Sequence, residues 1–217
     1  TITSPAFGLI AWGAYSPAWK IANYGDDDAR VILSTLLASA AMKSDRWDEP
    51  VLRALLANAR TTGKLGFRGD RVDIPQLEAQ GWRAFHDASP VNPSPHFESY
   101  LWACNLWAYA RTGDAAFLDR TRNAISMTMD AYAKKQWRWM DNIERARMLL
   151  CLSWLVRIED TPEHRQWLTT IAHDLLAAQQ QCGAIQERRG SAENTGFQIP
   201  QSNEAYGTSE TPLIQNV

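Results

Sequence analysis

Three consecutive carboxylates, Asp26, Asp27 and Asp28, followed by Arg30, stand directly before residues 31–42, a run that carries no charge. Acids this close repel one another, which can hold one carboxyl protonated near neutral pH while a neighbour stays ionised. Hydrolysis by paired carboxylates uses that division of protonation states. A helix N-terminus also attracts acids as caps and dipole partners, but a cap needs one acid, not three.

Two more apolar runs open on acids. His96-Phe97-Glu98-Ser99-Tyr100 leads into one, and Asp141-Asn142-Ile143-Glu144-Arg145 into the other, with Trp137 and Trp139 just before it, placed to stack on a sugar face. Near the end, Tyr206-Gly207-Thr208-Ser209-Glu210, close behind Glu204, repeats the Tyr-Gly-x-x-acid frame of Tyr24-Gly25-Asp26-Asp27-Asp28. Helices that begin at these points and run parallel would bring their acids to one rim.

The elements that must position these residues are helices. Residues 1–25, rich in Pro, Gly and aromatic rings, show no sustained period and read as an irregular lead-in to a helical domain covering 26–217. From Asp26 the spacing of Ala29, Ile32, Leu33, Leu36 and Leu37 is helical, and apolar residues on the other faces too predict a helix buried nearly all round. A one-sided helix from about Asp48 follows, with Val51, Leu52, Leu55 and Leu56 on its apolar face. The pairing returns twice. A buried helix over 97–110 stops at Thr112-Gly113-Asp114 before a one-sided partner, and a third buried helix over 142–157 precedes a one-sided helix over 162–181. Between the first two pairs lies the Gly- and Pro-rich segment 63–95, with one short helix expected over 75–85. Thr211-Pro212 reads as the start of a fourth buried helix. The fold class is therefore all-α: antiparallel hairpins in two layers, closed as a toroid or open as a solenoid.

Composition bounds the function. The 217 residues carry a formal net charge of -2, so no basic footprint for nucleic acid or an acidic membrane surface is present. Uncharged stretches are too short and too broken to predict a membrane span. Of the three cysteines, Cys104 and Cys151 sit in apolar runs and read as small core residues. The compartment stays open: periplasmic or secreted if a leader was removed, cytoplasmic otherwise. No metal or other cofactor is implied. Arg30 stands where an Asp-Asp-x-x-Asp magnesium motif needs its third acid, and His86, His96, His164 and His173 show no ligand spacing. Neither a glycine-rich phosphate loop nor a Gly-x-Ser-x-Gly nucleophile turn occurs.

The three helix pairs, the turn Tyr109-Ala110-Arg111-Thr112-Gly113-Asp114-Ala115-Ala116-Phe117-Leu118 and the two Tyr-Gly-x-x-acid segments resemble the six-hairpin glycosidase superfamily, carbohydrate-active enzymes built as (α/α)6 toroids. The resemblance covers most of the chain from Asn23. It implies a cleft at the N-terminal ends of the buried helices, where acidic residues work on a glycosidic bond of an oligo- or polysaccharide. Three pairs and the start of a fourth fall short of six. A partial barrel truncated at its C-terminal end is expected, which would self-associate or require the missing half.

The first functional expectation is a glycoside hydrolase whose acid and base come from Asp26, Asp27, Asp28, Glu98, Glu144 and Glu210. Tyr24, Arg30, Trp137, Trp139, Arg145, Glu204 and Tyr206 are the candidates for substrate binding, with Arg30 and Arg145 placed to hold an acidic sugar or orient an acid. Carboxyl separation would set the stereochemistry, about 5 Å for retention and roughly 6.5–9.5 Å for inversion. A second expectation is a polysaccharide lyase or sugar epimerase on the same toroid, with Tyr24, Tyr206 or His96 as base. A third is a non-catalytic helical-repeat scaffold that binds sugar without turning it over.

Overall fold

The computed structural model describes residues 3–137, 142–186 and 214–215. Its architecture is all-α. The lead-in carries one short turn of helix, α1 (Pro17–Lys20), and a two-residue strand, β1 (Ala22–Asn23), before α2 (Gly25–Met42) and α3 (Asp48–Arg60) form the first hairpin. Strand β2 (Val72–Asp73) and the short helices α4 (Ile74–Gln80) and α5 (Trp82–His86) occupy the Gly- and Pro-rich segment. The second hairpin is α6 (Pro95–Thr112) with α7 (Ala115–Ala133), and the third is α8 (Asn142–Ile158) with α9 (Pro162–Leu176).

Local chemistry sets the boundaries. Helices α1, α3, α4, α6 and α9 carry proline in the first turn, where its missing N–H costs no intrahelical bond. Gly113 ends α6 at φ 71°, and Asp114 then accepts the Ala116 N–H as the cap of α7, as the Thr-Gly-Asp sequence predicts. Thr161 caps α9 by accepting the His164 N–H.

Helices α2, α6 and α8 lie side by side with α6 in the centre, and α3, α7 and α9 each pack on their hairpin partner. One core fills the space among α6, α7, α8 and α9, built on Trp102, Leu106, Ile125, Met148, Leu152 and Leu155. A second, with Ala29, Ile32, Leu55, Leu101 and Cys104, joins α2, α3 and α6. Trp102 is 1% exposed and donates its indole N–H to the Gly66 carbonyl at 3.1 Å, tying the segment before β2 to this core. Among the described residues no helix is long and apolar enough to cross a membrane.

Several expectations need correction. Helix α2 is not buried all round: Val31, Leu37 and Met42 are 46%, 73% and 64% exposed. Its apolar residues cover more faces than its two neighbours, α3 and α6, can reach. The lead-in is not wholly irregular, since Ala22 and Asn23 pair antiparallel with Asp73 and Val72. The single helix expected over 75–85 is two, broken at Gly81, whose φ of 75° an L side chain adopts only with strain. Helix α9 ends at Leu176, short of 181. Near the expected fourth helix, β4 (Ile214–Gln215) is extended and pairs antiparallel with β3 (Ile185–Gln186). The β-branched isoleucines suit that ladder better than a helix start.

Candidate functional site

The acidic starts of α2, α6 and α8 come together through two buried arginines. Arg147, on the second turn of α8, donates from Nη1 to Asp26 Oδ2 at 3.0 Å and to the His96 carbonyl at 2.7 Å. One side chain therefore joins the first turn of α2 to the first turn of α6. His96 Nδ1 lies 2.8 Å from Glu144 Oε1, which closes the connection back to α8. All four of these side chains are almost wholly buried, Glu144 completely.

The second arginine, Arg68, comes from the loop before β2. It donates to Asn23 Oδ1, and from Nε to Thr61 Oγ1 at 2.9 Å. Its backbone N–H and that of Gly69 both donate to Glu98 Oε1 at 2.8 Å, fixing the loop to α6. Asn23 in turn donates to Asp28 Oδ1 at 2.9 Å and to the Ile10 carbonyl. Asn58 of α3 donates to Asp28 Oδ2 at 2.7 Å. Gly25 lets the helices approach this closely, because a Cβ there would stand 2.8 Å from the Phe97 carbonyl oxygen.

The three adjacent aspartates thus occupy three environments. Asp28 is fully buried and tied to the lead-in and to α3; burial pushes its pKa up against the opposing pull of Arg68 and its two asparagine donors. Asp26 Oδ2 receives Arg30 at 2.9 Å as well as Arg147. Asp27 alone keeps appreciable solvent access, 30% of its side chain, and contacts Arg30 Nη1 at 3.2 Å. Partial burial and then the charge of Asp26 raise its pKa to about 6. Glu98 is pushed to about 7 by complete burial, and its Oε2 has no hydrogen-bond partner among the described residues.

A row of rings leads up to these acids. Trp19 lies 4.9 Å from Trp12, Trp12 5.5 Å from Tyr24, Tyr24 5.8 Å from Phe97, and Phe97 4.7 Å from His96, measured between centroids. Trp12 is 42% exposed, so the outer end of the row is open to solvent.

Of the candidates read from sequence, Asp26, Asp27, Asp28, Glu98 and Glu144 belong to this network, and Tyr24 and Arg30 border it. Trp137 is not a rim residue. It is fully buried, packs tilted against Tyr132 with centroids 4.5 Å apart and donates its indole N–H to the Thr128 carbonyl, because an apolar ring with a satisfied N–H is more stable inside. Arg145 engages the outer layer, donating from Nε to Tyr132 Oη and from Nη1 to Asn142 Oδ1, both at 3.0 Å. Trp139, Glu204, Tyr206 and Glu210 lie outside the described residues. His86 contacts Arg120 of α7 and takes no part in the network, and His164 is buried with Nδ1 2.8 Å from the Glu159 carbonyl.

Sequence reasoning missed Asn23, Asn58, Arg68 and Arg147. Arg147 had a signal: a cation directly beside the uncharged run 148–156 of a buried helix requires a buried counter-charge. Arg68 had none, since it sits in a segment without period and reaches the acids only through the chain's path.

Compared with protein-family models, with curated proteins and with solved structures, the chain matches none.

Proposed function

We propose that the protein is a glycoside hydrolase of (α/α)-toroid type, with its reaction centre at the joined N-terminal ends of α2, α6 and α8. The observation that carries this reading is the pairing of two neighbouring carboxyls in unlike surroundings. Asp27 is accessible and holds its proton up to about pH 6, while Asp26 is bound by two guanidiniums. In this reading Asp27 protonates the leaving oxygen as the glycosidic bond breaks, and Asp26 activates the attacking water or attacks the anomeric carbon. The ring row from Trp19 to Phe97 gives a sugar a face to stack on. Asp28 and Glu98 hold the site together.

Release of new reducing ends from a panel of oligosaccharides tests the assignment. Asp27→Asn and Asp26→Asn are each expected to lower kcat by roughly 10²–10⁴-fold with the fold intact. Because the acid must be protonated, kcat/KM should fall as pH rises through about 6, and Asp27→Asn should remove that limb. Unchanged turnover in both variants would leave the scaffold reading in its place.

The contact between His96 and Glu144 favours the lyase or epimerase as second reading, since a buried carboxylate orienting an imidazole builds a general base. An unsaturated, ultraviolet-absorbing product abolished by His96→Gln would select it.

A further inference from the structure

Two orphaned polar atoms, a donor and an acceptor, meet beneath the rim. Arg68 is 5% exposed and Glu98 1%, yet Arg68 Nη1 and Glu98 Oε2 have no hydrogen-bond partner among the described residues. Burying such atoms unpaired is costly, so a complementary pair stays apart only where other bonds hold it apart. The two groups are neighbours. The Arg68 backbone N–H already donates to the other oxygen of Glu98, Oε1, at 2.8 Å. A Cβ on Gly25 would stand 3.6 Å from Arg68 Nη1 and 2.8 Å from the carbonyl oxygen of Phe97, the residue before Glu98. The space that Gly25 leaves open therefore lies between Nη1 and the first turn of α6.

What holds Nη1 away is the rest of its own guanidinium, since Nη2 donates to Asn23 and Nε to Thr61. Asn23 is in turn the donor to Asp28 Oδ1. Other acids bear on the pair from both sides. Asp28 and Asp26 of α2 attract Arg68, and Asp70, bonded by Asn92, stands on the same loop and opposes ionisation of Glu98. While Glu98 keeps its proton, the strongest attraction on the guanidinium comes from Asp28, on the α2 side. Once ionised, Glu98 is a full charge with an unused oxygen beside the same guanidinium, and a charge-assisted bond is about twice as strong as a neutral one.

We infer that Arg68 and Glu98 form a proton switch beneath the rim: with Glu98 protonated, Arg68 ties the loop before β2 to Asn23 and so to α2, and with Glu98 ionised, Arg68 Nη1 turns to Glu98 Oε2, ties the loop to α6 and releases Asn23. One proton passes from Glu98 to solvent and no covalent bond changes. Burial of Glu98 places the change near neutral pH, at about 7. The switch belongs to the scaffold and holds whatever the rim acts on.

An NMR titration of the full chain from pH 5 to pH 9, with the Asn23 side-chain amide and the Gly69 backbone amide as probes, tests the inference. Both signals should shift with one midpoint near 7. Glu98→Gln, which keeps the acceptor but has no proton to lose, should abolish both shifts. Arg68→Gln should keep the Gly69 shift, its midpoint moved up because the attracting cation is gone, and abolish the Asn23 shift. Should Arg68→Gln unfold, crystals of the native chain at pH 5 and pH 9 serve instead: Nη1 should stand within hydrogen-bond distance of Glu98 Oε2 at the higher pH only. A Gly69 shift without an Asn23 shift, an Asn23 shift that survives in Glu98→Gln, or an ordered water joining Nη1 to Oε2 at both pH values would each overturn the inference.

Discussion

Glu98 shows most clearly how burial rather than charge sets behaviour at this rim. It accepts two backbone N–H bonds from Arg68 and Gly69, both of which favour the carboxylate, yet complete burial outweighs them and lifts its pKa to about 7. In the unfolded chain the same group titrates near 4.5. The folded state therefore binds the extra proton between these values, so Glu98 adds stability at low pH that is lost as pH rises through about 7. The full difference corresponds to about 3 kcal/mol. Urea unfolding at pH 5 and pH 8 is expected to show this loss in the native protein and a clearly smaller one in Glu98→Gln, which keeps an acceptor for both N–H groups. An identical pH dependence in the variant would count against a buried, proton-holding Glu98. Asp27 differs because it keeps a path to solvent, which suits it to give its proton to a substrate; Glu98 has none.

At the level of elements, the rim depends on how closely α2 approaches α6. Gly25 is the contact point, and its constraint is space and not backbone angle, since the added Cβ would meet a main-chain oxygen that cannot rotate away. Gly25→Ala is expected to cost 1–3 kcal/mol in thermal or urea unfolding, the usual range for overpacking, and to lower hydrolysis by displacing Asp26 and Asp27. The far face of α2 tolerates far more. Leu37, 73% exposed, should accept Leu37→Lys with a change within about 0.5 kcal/mol in the same assay. A loss of several kcal/mol there would show that α2 is covered on that side after all. The sequence reading of α2 failed on this point because periodicity reports which faces are apolar and says nothing about how many neighbours arrive to cover them. The reading of α6 held better, since α2, α7 and α8 all pack on it.

Across the whole molecule, Arg147 is the point where the three inner helices meet, through Asp26 of α2 and the His96 carbonyl of α6. Without Arg147, Asp26 keeps only the part-exposed Arg30, so the loss lies at the lower end of the about 3–5 kcal/mol that breaking a buried ion pair costs. Arg147→Met should show that loss by urea unfolding, and a double-mutant cycle with Asp26→Asn should return part of it, because the second change removes the charge that lost its buried partner. Strict additivity would mean that the pair does not couple the helices.

What the sequence determined by itself is the periodic part of the protein: three hairpins, the stop at Gly113, the cap at Asp114 and the acidic entrances to α2, α6 and α8. These are local properties, fixed by side-chain spacing and by the backbone freedom of single residues. The tertiary structure alone decided which acids are equivalent and which are not. Adjacent Asp26, Asp27 and Asp28 point, at helical spacing, into an arginine pair, toward solvent and into an asparagine cage. The arginine and asparagine partners arrive from residues 23, 58, 68 and 147, and no local pattern records that meeting. Burial depth, which raised the proton affinity of Asp27, Asp28 and Glu98, is a property of the packed assembly and of no segment within it.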